Sequence, residues 1–211
     1  MPDPPPRLFA LLAIAIWLAA CSCTRSSGAE STGAETSGTE TSGASAASTP
    51  RTASAGRSFE GNGVSFTYPT HWRAFREMQA SAVAGDQVWS RSVGIDGRNL
   101  VIVAEYAQSI AITPDNVAER ATDVRAELES IFAQAGGSLT SGPRAREMGG
   151  LPALAFTGTV PTVRGEAVED RVVLAFDGTT EYFMNCQYDE RTRAELLDGC
   201  RQIASTFEVT G

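Results

Sequence analysis

The chain has 211 residues and carries 25 acidic residues against 17 basic ones, all arginine, for a formal net charge of −8. Residues 1–57 are neutral (Arg7, Arg25, Arg51 and Arg57 against Asp3, Glu30, Glu35 and Glu40), so the whole excess falls on 58–211. An acidic domain without a basic run argues against nucleic acid as a partner and against adhesion to anionic head groups.

Leu8 to Ala20 is an unbroken apolar run. It is shorter than the ~20 residues a spanning helix needs, and it has the length of a signal-peptide core, with Arg7 before it and the small Ala19 and Ala20 at its end. The run stops on Leu18-Ala-Ala-Cys21, which resembles the bacterial lipobox. In that signal the cysteine thiol receives a diacylglyceryl group and becomes the first residue of the mature chain; the alternative is an ordinary secretory leader cut after Ala20. The reading is a lipoprotein signal peptide over 1–20. Palmitate-type acyl chains on Cys21 then hold the protein to the membrane, since each buried methylene contributes ~0.8 kcal/mol. The implied place is the outer face of the cytoplasmic membrane, in the cell envelope.

Residues 21–57 are the anchor cysteine and a tether of Ser, Thr, Gly, Ala and Glu, with no aromatic and no large aliphatic residue after Cys21. Such a composition buries too little to order itself. As a flexible coil, the 34 residues from Thr24 to Arg57 span ~30–35 Å, and the Ser/Thr density permits O-glycosylation. Cys23 reads as an incidental thiol on this tether.

Residues 58–211 read as one domain. "SFEGNGVSFTYP" is two short strands about Gly61-Asn62-Gly63, ended by Pro69. "QVWSRSVGID" and "NLVIVAEYAQ" form a hairpin across Asp96-Gly97. "TPDNVAERATDVRAELESIFAQAGG" is a helix with Thr113 as its cap, Pro114 in its first turn, and Val117, Ala121, Val124, Leu128, Ile131 and Phe132 on one face. Gly136-Gly137 stop it. Three strands follow, "PALAFTGTV", "EAVEDRVVLAFD" and "TTEYFMNCQY", with a tight turn at Asp177-Gly178 between the last two. "DERTRAELLDGCRQIASTF" is a second helix with Leu196, Leu197, Cys200, Ile203, Ala204 and Phe207 on one face. The class is α+β: a mainly antiparallel sheet of five to seven strands packed with two main helices.

"VSFTYPTHW", "GGLPALAFTG" and "STFEV", in that order, resemble the PsbP-like α/β/α sandwich superfamily. Within it the match is to actinobacterial lipoproteins of the LpqN/LpqT type, whose lipobox and tether are similar too. The resemblance covers essentially all of 58–211. It implies a non-enzymatic binding or assembly module at a membrane, and it supplies no catalytic residues to carry over.

Cys186 falls on the last strand and Cys200 on the core face of the last helix, with one chain reversal between. In an exported chain that arrangement suggests a disulfide, closing a loop of about fifteen residues for ~3 kcal/mol; buried free thiols or a redox pair are the alternatives. His71, the only histidine, would have to serve any Ser-His-Asp or Cys-His enzyme. It sits between Thr70 and Trp72 where a strand ends, and no G-x-S-x-G accompanies it. One histidine and two paired cysteines are too few ligands for zinc. Glu169-Asp170 and Asp189-Glu190 are adjacent, so on strands they point to opposite faces. No P-loop or G-x-G-x-x-G occurs, and "GGSLTSG" lacks a phosphate-cradle lysine. The sequence therefore indicates no catalytic residue, metal site or cofactor.

Three functions are expected in turn. The first is an envelope module that binds another envelope protein or a cell-wall component, through a flat or grooved surface. The second is a carrier of a small hydrophobic ligand between the sheet and the long helix, lined by Val117, Val124 and Leu128, which requires a cavity of several hundred Å³. The third is a hydrolase centred on His71, which requires a polar cleft holding a serine and a carboxylate.

Overall fold

The computed structural model describes residues 56–75, 87–162 and 165–210. The leader, Cys21, Cys23 and almost all of the tether lie outside the described residues.

β1 (Gly56–Gly61) and β2 (Val64–Pro69) form a hairpin in which Gly61 pairs with Val64. The two loop residues, Asn62 and Gly63, have φ of 53° and 72°, the left-handed pair that such a turn demands and that Asn-Gly accepts readily. β2 alternates buried with half-buried residues, which is the pattern of a strand with one core face. At the other end of the chain β9 (Glu208–Val209) pairs with β2 and completes a three-stranded sheet.

The second sheet has the order β3-β4-β5-β8-β7-β6, with β3 (Arg73–Ala74), β4 (Gln87–Gly94), β5 (Leu100–Ile112), β6 (Ser138–Met148), β7 (Leu151–Pro161) and β8 (Ala167–Tyr188). Every adjacent pair is antiparallel. The β4–β5 connection is organised by Asp96, whose Oδ1 accepts the backbone N–H groups of Arg98 and Asn99, each at 2.8 Å.

β8 is strand from Ala167 to Tyr188, yet it does not run straight. Extended, a segment of that length would span ~70 Å. Asn185 Nδ2 nevertheless donates to Asp170 Oδ1 at 2.8 Å, so the segment doubles back at Asp177-Gly178, where Gly178 has φ 59°. Its first arm pairs with β7, from Pro161↔Ala167 to Ala153↔Ala175. Its second arm pairs with β5, from Ala107↔Thr180 to Leu100↔Gln187. β8 thus fills two places in the sheet, and the tight turn lies where the sequence places it.

β6 is the one long strand that sequence reasoning assigns to no element, along with the two-residue β3 and β9. It is polar, carries Gly142-Pro143 in its middle and has two register shifts against β7. Bulges and a proline are tolerated at a sheet edge, where no outer ladder needs the N–H.

The long helix, α1 (Val117–Gln134), begins later than expected, because Asn116 rather than Thr113 stands at its N-cap. Asn116 spends its side chain on the preceding turn, accepting from Thr113 N at 2.8 Å and donating to Ala111 O at 3.0 Å. Its C-terminus closes as the glycines predict: Gly136 N reaches Ala133 O at 3.0 Å and Gly137 N reaches Phe132 O at 2.8 Å, with Gly136 at φ 74°. The last helix is α2 (Arg193–Thr206).

The helices cover opposite faces of the large sheet. Leu128, Ile131 and Phe132 of α1 share a core with Leu154, Phe156, Val172, Leu174 and Phe183. Leu196, Cys200 and Ile203 of α2 share the other core with Val64, Phe66, Tyr182, Met184 and Cys186. Each helix is seated by a glycine against an aromatic ring. A Cβ on Gly158 of β7 would overlap the Phe132 ring, and one on Gly199 of α2 would overlap the Trp72 indole.

Candidate functional site

α2 packs on β2, β5 and β8, and beside it a trough of about 470 Å³ opens over β6, β7 and β8. The sheet register builds its floor. Arg144 pairs with Ala155, and Ala155 with Val173; in the next row Ser141 pairs with Thr157, and Thr157 with Arg171. Paired residues on adjacent strands point to one face, so Ala155 in one row and Ser141 and Thr157 in the next put small side chains beside Arg144, Val173 and Arg171 and leave a depression. Leu197, Cys200, Arg201 and Ala204 of α2 line the trough together with Met184 of β8.

Cys186 and Cys200 are bonded, with their Cα atoms 6.3 Å apart, and both line this trough. The bridge ties the second arm of β8 to α2 and fixes the position of one wall. It closes a loop across 14 positions.

The trough concentrates positive charge on an acidic domain. Of the thirteen arginines in 58–211 (seventeen in all, four of them before residue 58), Arg144, Arg146, Arg171 and Arg201 line it, with Glu147 as the one acidic lining residue. Arg201 is paired with Asp198, and Arg171 lies 3.6 Å from Glu169. Arg144 and Arg146 are exposed and form no ion pair among the described residues. Two positions apart on one strand, they project from the same face ~7 Å apart.

The opposite face is filled more closely where α1 lies on it. Between α1 and the sheet the opening is about 30 Å³, room for about one water and far below a ligand-sized cavity. Leu128 is buried there, and Val117 and Val124 pack half-buried against the core, so these residues are packing. The same opening is lined by Glu181, Glu127, Asp123 and Gln108. Glu181 is buried, its Oε2 accepts from Gln108 Nε2 at 2.8 Å, and its Oε1 has no hydrogen-bond partner. Burial, and secondarily the charge of Glu127, push its carboxyl up to about 8. Asp170 is raised to about 6, chiefly by burial, with the Asn185 hydrogen bond opposing. Neighbouring Glu169 faces elsewhere and accepts from the Tyr188 hydroxyl.

His71 stands in the turn after β2, with its Nε2 2.7 Å from Glu195 Oε1 and side-chain exposures of 63% and 48%. Trp72 Nε1 donates to the same oxygen at 3.4 Å. No serine or cysteine bonds to His71 among the described residues. The dyad joins the β2 turn to the first turn of α2 at the surface. Among the described residues no group of three or more His, Cys, Asp or Glu is placed to hold a metal, and no helix is long and apolar enough to cross a membrane.

No family model and no curated protein matches the sequence. Solved structures do match. The solution structure of cyanobacterial PsbP from Synechocystis aligns with a TM-score of 0.51 at 16% identity, over 77% of this chain and 98% of that one. The fold is PsbP-like. A Bacteroides thetaiotaomicron protein aligns at 12% identity and a TM-score of 0.48 over 73% of this chain, which spans only 48% of that protein. LpqN of Mycobacterium tuberculosis, involved in cell envelope biogenesis, aligns at 14% identity and a TM-score of 0.45, over 74% of this chain and 86% of that one.

The arginines of the trough are what sequence reasoning missed. Arg144 and Arg146 alternate in "PRAREM", a period-2 signal on a segment not read as a strand. Arg171 and Arg201 carry no local signal that links them to it.

Proposed function

We propose that this protein is a lipid-anchored, non-enzymatic binding module of the cell envelope, held by acyl chains on Cys21 and engaging an envelope protein or cell-wall component. The observation that carries the reading is the trough beside α2: an open surface of ligand size, held in shape by a disulfide and lined by cations, on a fold whose lone histidine is engaged with a surface carboxylate. The narrower LpqN/LpqT-type placement is supported by the sequence motifs together with the lipobox and tether. A carrier role for a neutral ligand under α1 finds no support in an opening of about 30 Å³.

The anchor is tested first. Wild-type protein is expected in the detergent phase, and Cys21→Ser in the soluble or unprocessed pool. Mass spectrometry of the mature N-terminus should find a diacylated Cys21. An unmodified Cys21, or cleavage elsewhere, overturns the lipoprotein reading.

A further inference from the structure

We propose that the trough between α2 and the β6–β7–β8 part of the sheet binds a single-chain lipid phosphate, with its alkyl chain along the floor and its phosphate on Arg144 and Arg146. The proposal rests on the envelope reading only in that the anchor would hold the trough beside a source of such lipids.

Three observations lead to this ligand. The first is charge: Arg144 and Arg146 are exposed and line the trough, share a face and are in none of the ion pairs among the described residues, and a pair of guanidinium groups matches the doubly charged head of a phosphate monoester. The second is the floor, which offers Ala155, Val173, Met184, Leu197 and the disulfide. β7 and both arms of β8 are interior strands with neighbours on each side, so their backbone donors and acceptors are spent within the sheet. A peptide laid on that floor would strand its own amides without partners, whereas an alkyl chain has none to satisfy. The third is size, since about 470 Å³ falls within the range of small-molecule sites.

The test uses the full chain in its own membranes, photolabelled with a diazirine-bearing dodecyl phosphate and mapped by mass spectrometry. Adducts are expected within 170–188 and 193–206. Arg144→Gln with Arg146→Gln should lower labelling about tenfold, the effect of losing one or more charge-assisted contacts. Both side chains are exposed, and retention of the Cys186–Cys200 bridge checks the fold of the variant. Ala204→Glu, which places a negative charge on the α2 wall, should lower labelling independently. A dodecanol probe with the same diazirine should label weakly. Equal labelling by the alcohol, adducts confined to other segments, or labelling unchanged in both variants overturns the proposal. Displacement by an acidic peptide as effective as by dodecyl phosphate replaces the lipid with an acidic segment. Failure of the labelling with Cys21-dependent membrane attachment intact removes the lipid assignment alone; loss of that attachment removes the envelope reading instead.

Discussion

The two faces of the large sheet are covered by helices of similar length to opposite effect. On one face α1 lies down completely: Phe132 fills the space that Gly158 leaves by lacking a Cβ, and the remaining opening is about 30 Å³. On the other face α2 is held at one point by the Cys186–Cys200 bridge and at another by Gly199 against Trp72, and a trough of about 470 Å³ remains beside it. Burial closes the α1 face, because each apolar side chain that is covered adds to the gain. α2 is packed as well, through Leu196 and Ile203, but mainly over β2, β5 and β8, so room is left at its flank.

The sharpest way to break this contrast is to cut the tie. Cys186→Ser with Cys200→Ser should cost ~3 kcal/mol by the chain-entropy estimate for a loop of this length, read as a lowered denaturant midpoint. Hydrogen exchange should rise in α2 and its neighbours well before α1 responds. Equal loosening of both helices would mean that the faces are one cooperative unit.

A pH-dependent effect sits on the closed face. The Glu181 carboxyl is raised to about 8 in the folded protein, whereas unfolded it titrates in the ordinary carboxylate range. Between about pH 5 and about pH 8 the native state holds a proton that the unfolded state has released, so stability falls as pH rises through that window, by at most ~1.4 kcal/mol per unit. Asp170, raised to about 6, adds the same sign between about pH 4 and about pH 6. Glu181→Gln should flatten the upper part of the profile in urea titrations at successive pH values. An unchanged slope would mean that another group carries it.

The least change is expected at the surface. His71→Ala removes an exposed pair with Glu195, worth ~0–1 kcal/mol at most. Partner binding should be unaffected, and ester and peptide panels should show no hydrolysis to lose. An activity that vanishes with this substitution would overturn the binding-module reading.

What was legible in the chain was local or periodic. The Asn62-Gly63 turn, the paired glycines after α1, the apolar stripe of α1 and the alternation in β2 each declare themselves within a few residues, because backbone sterics and burial act at that range. Asn116 displaced Thr113 as the start of α1 because its side chain found partners in the preceding turn, a competition that spacing alone does not decide. β6 escaped notice because an edge strand needs no hydrophobic period and tolerates Pro143.

The trough was decided by tertiary structure. Its arginines come from positions 144, 146, 171 and 201, on β6, β8 and α2, and no run of the sequence is basic. A net charge of −8 predicts a surface that repels anions, and the sequence by itself determines that average. Only the register of β6 on β7 and of β7 on β8, together with the packing of α2 on β2, β5 and β8, brings four of thirteen scattered guanidinium groups around one depression. Charge is a sum over the chain, whereas a site is a matter of which charges the fold sets within a few ångströms of each other.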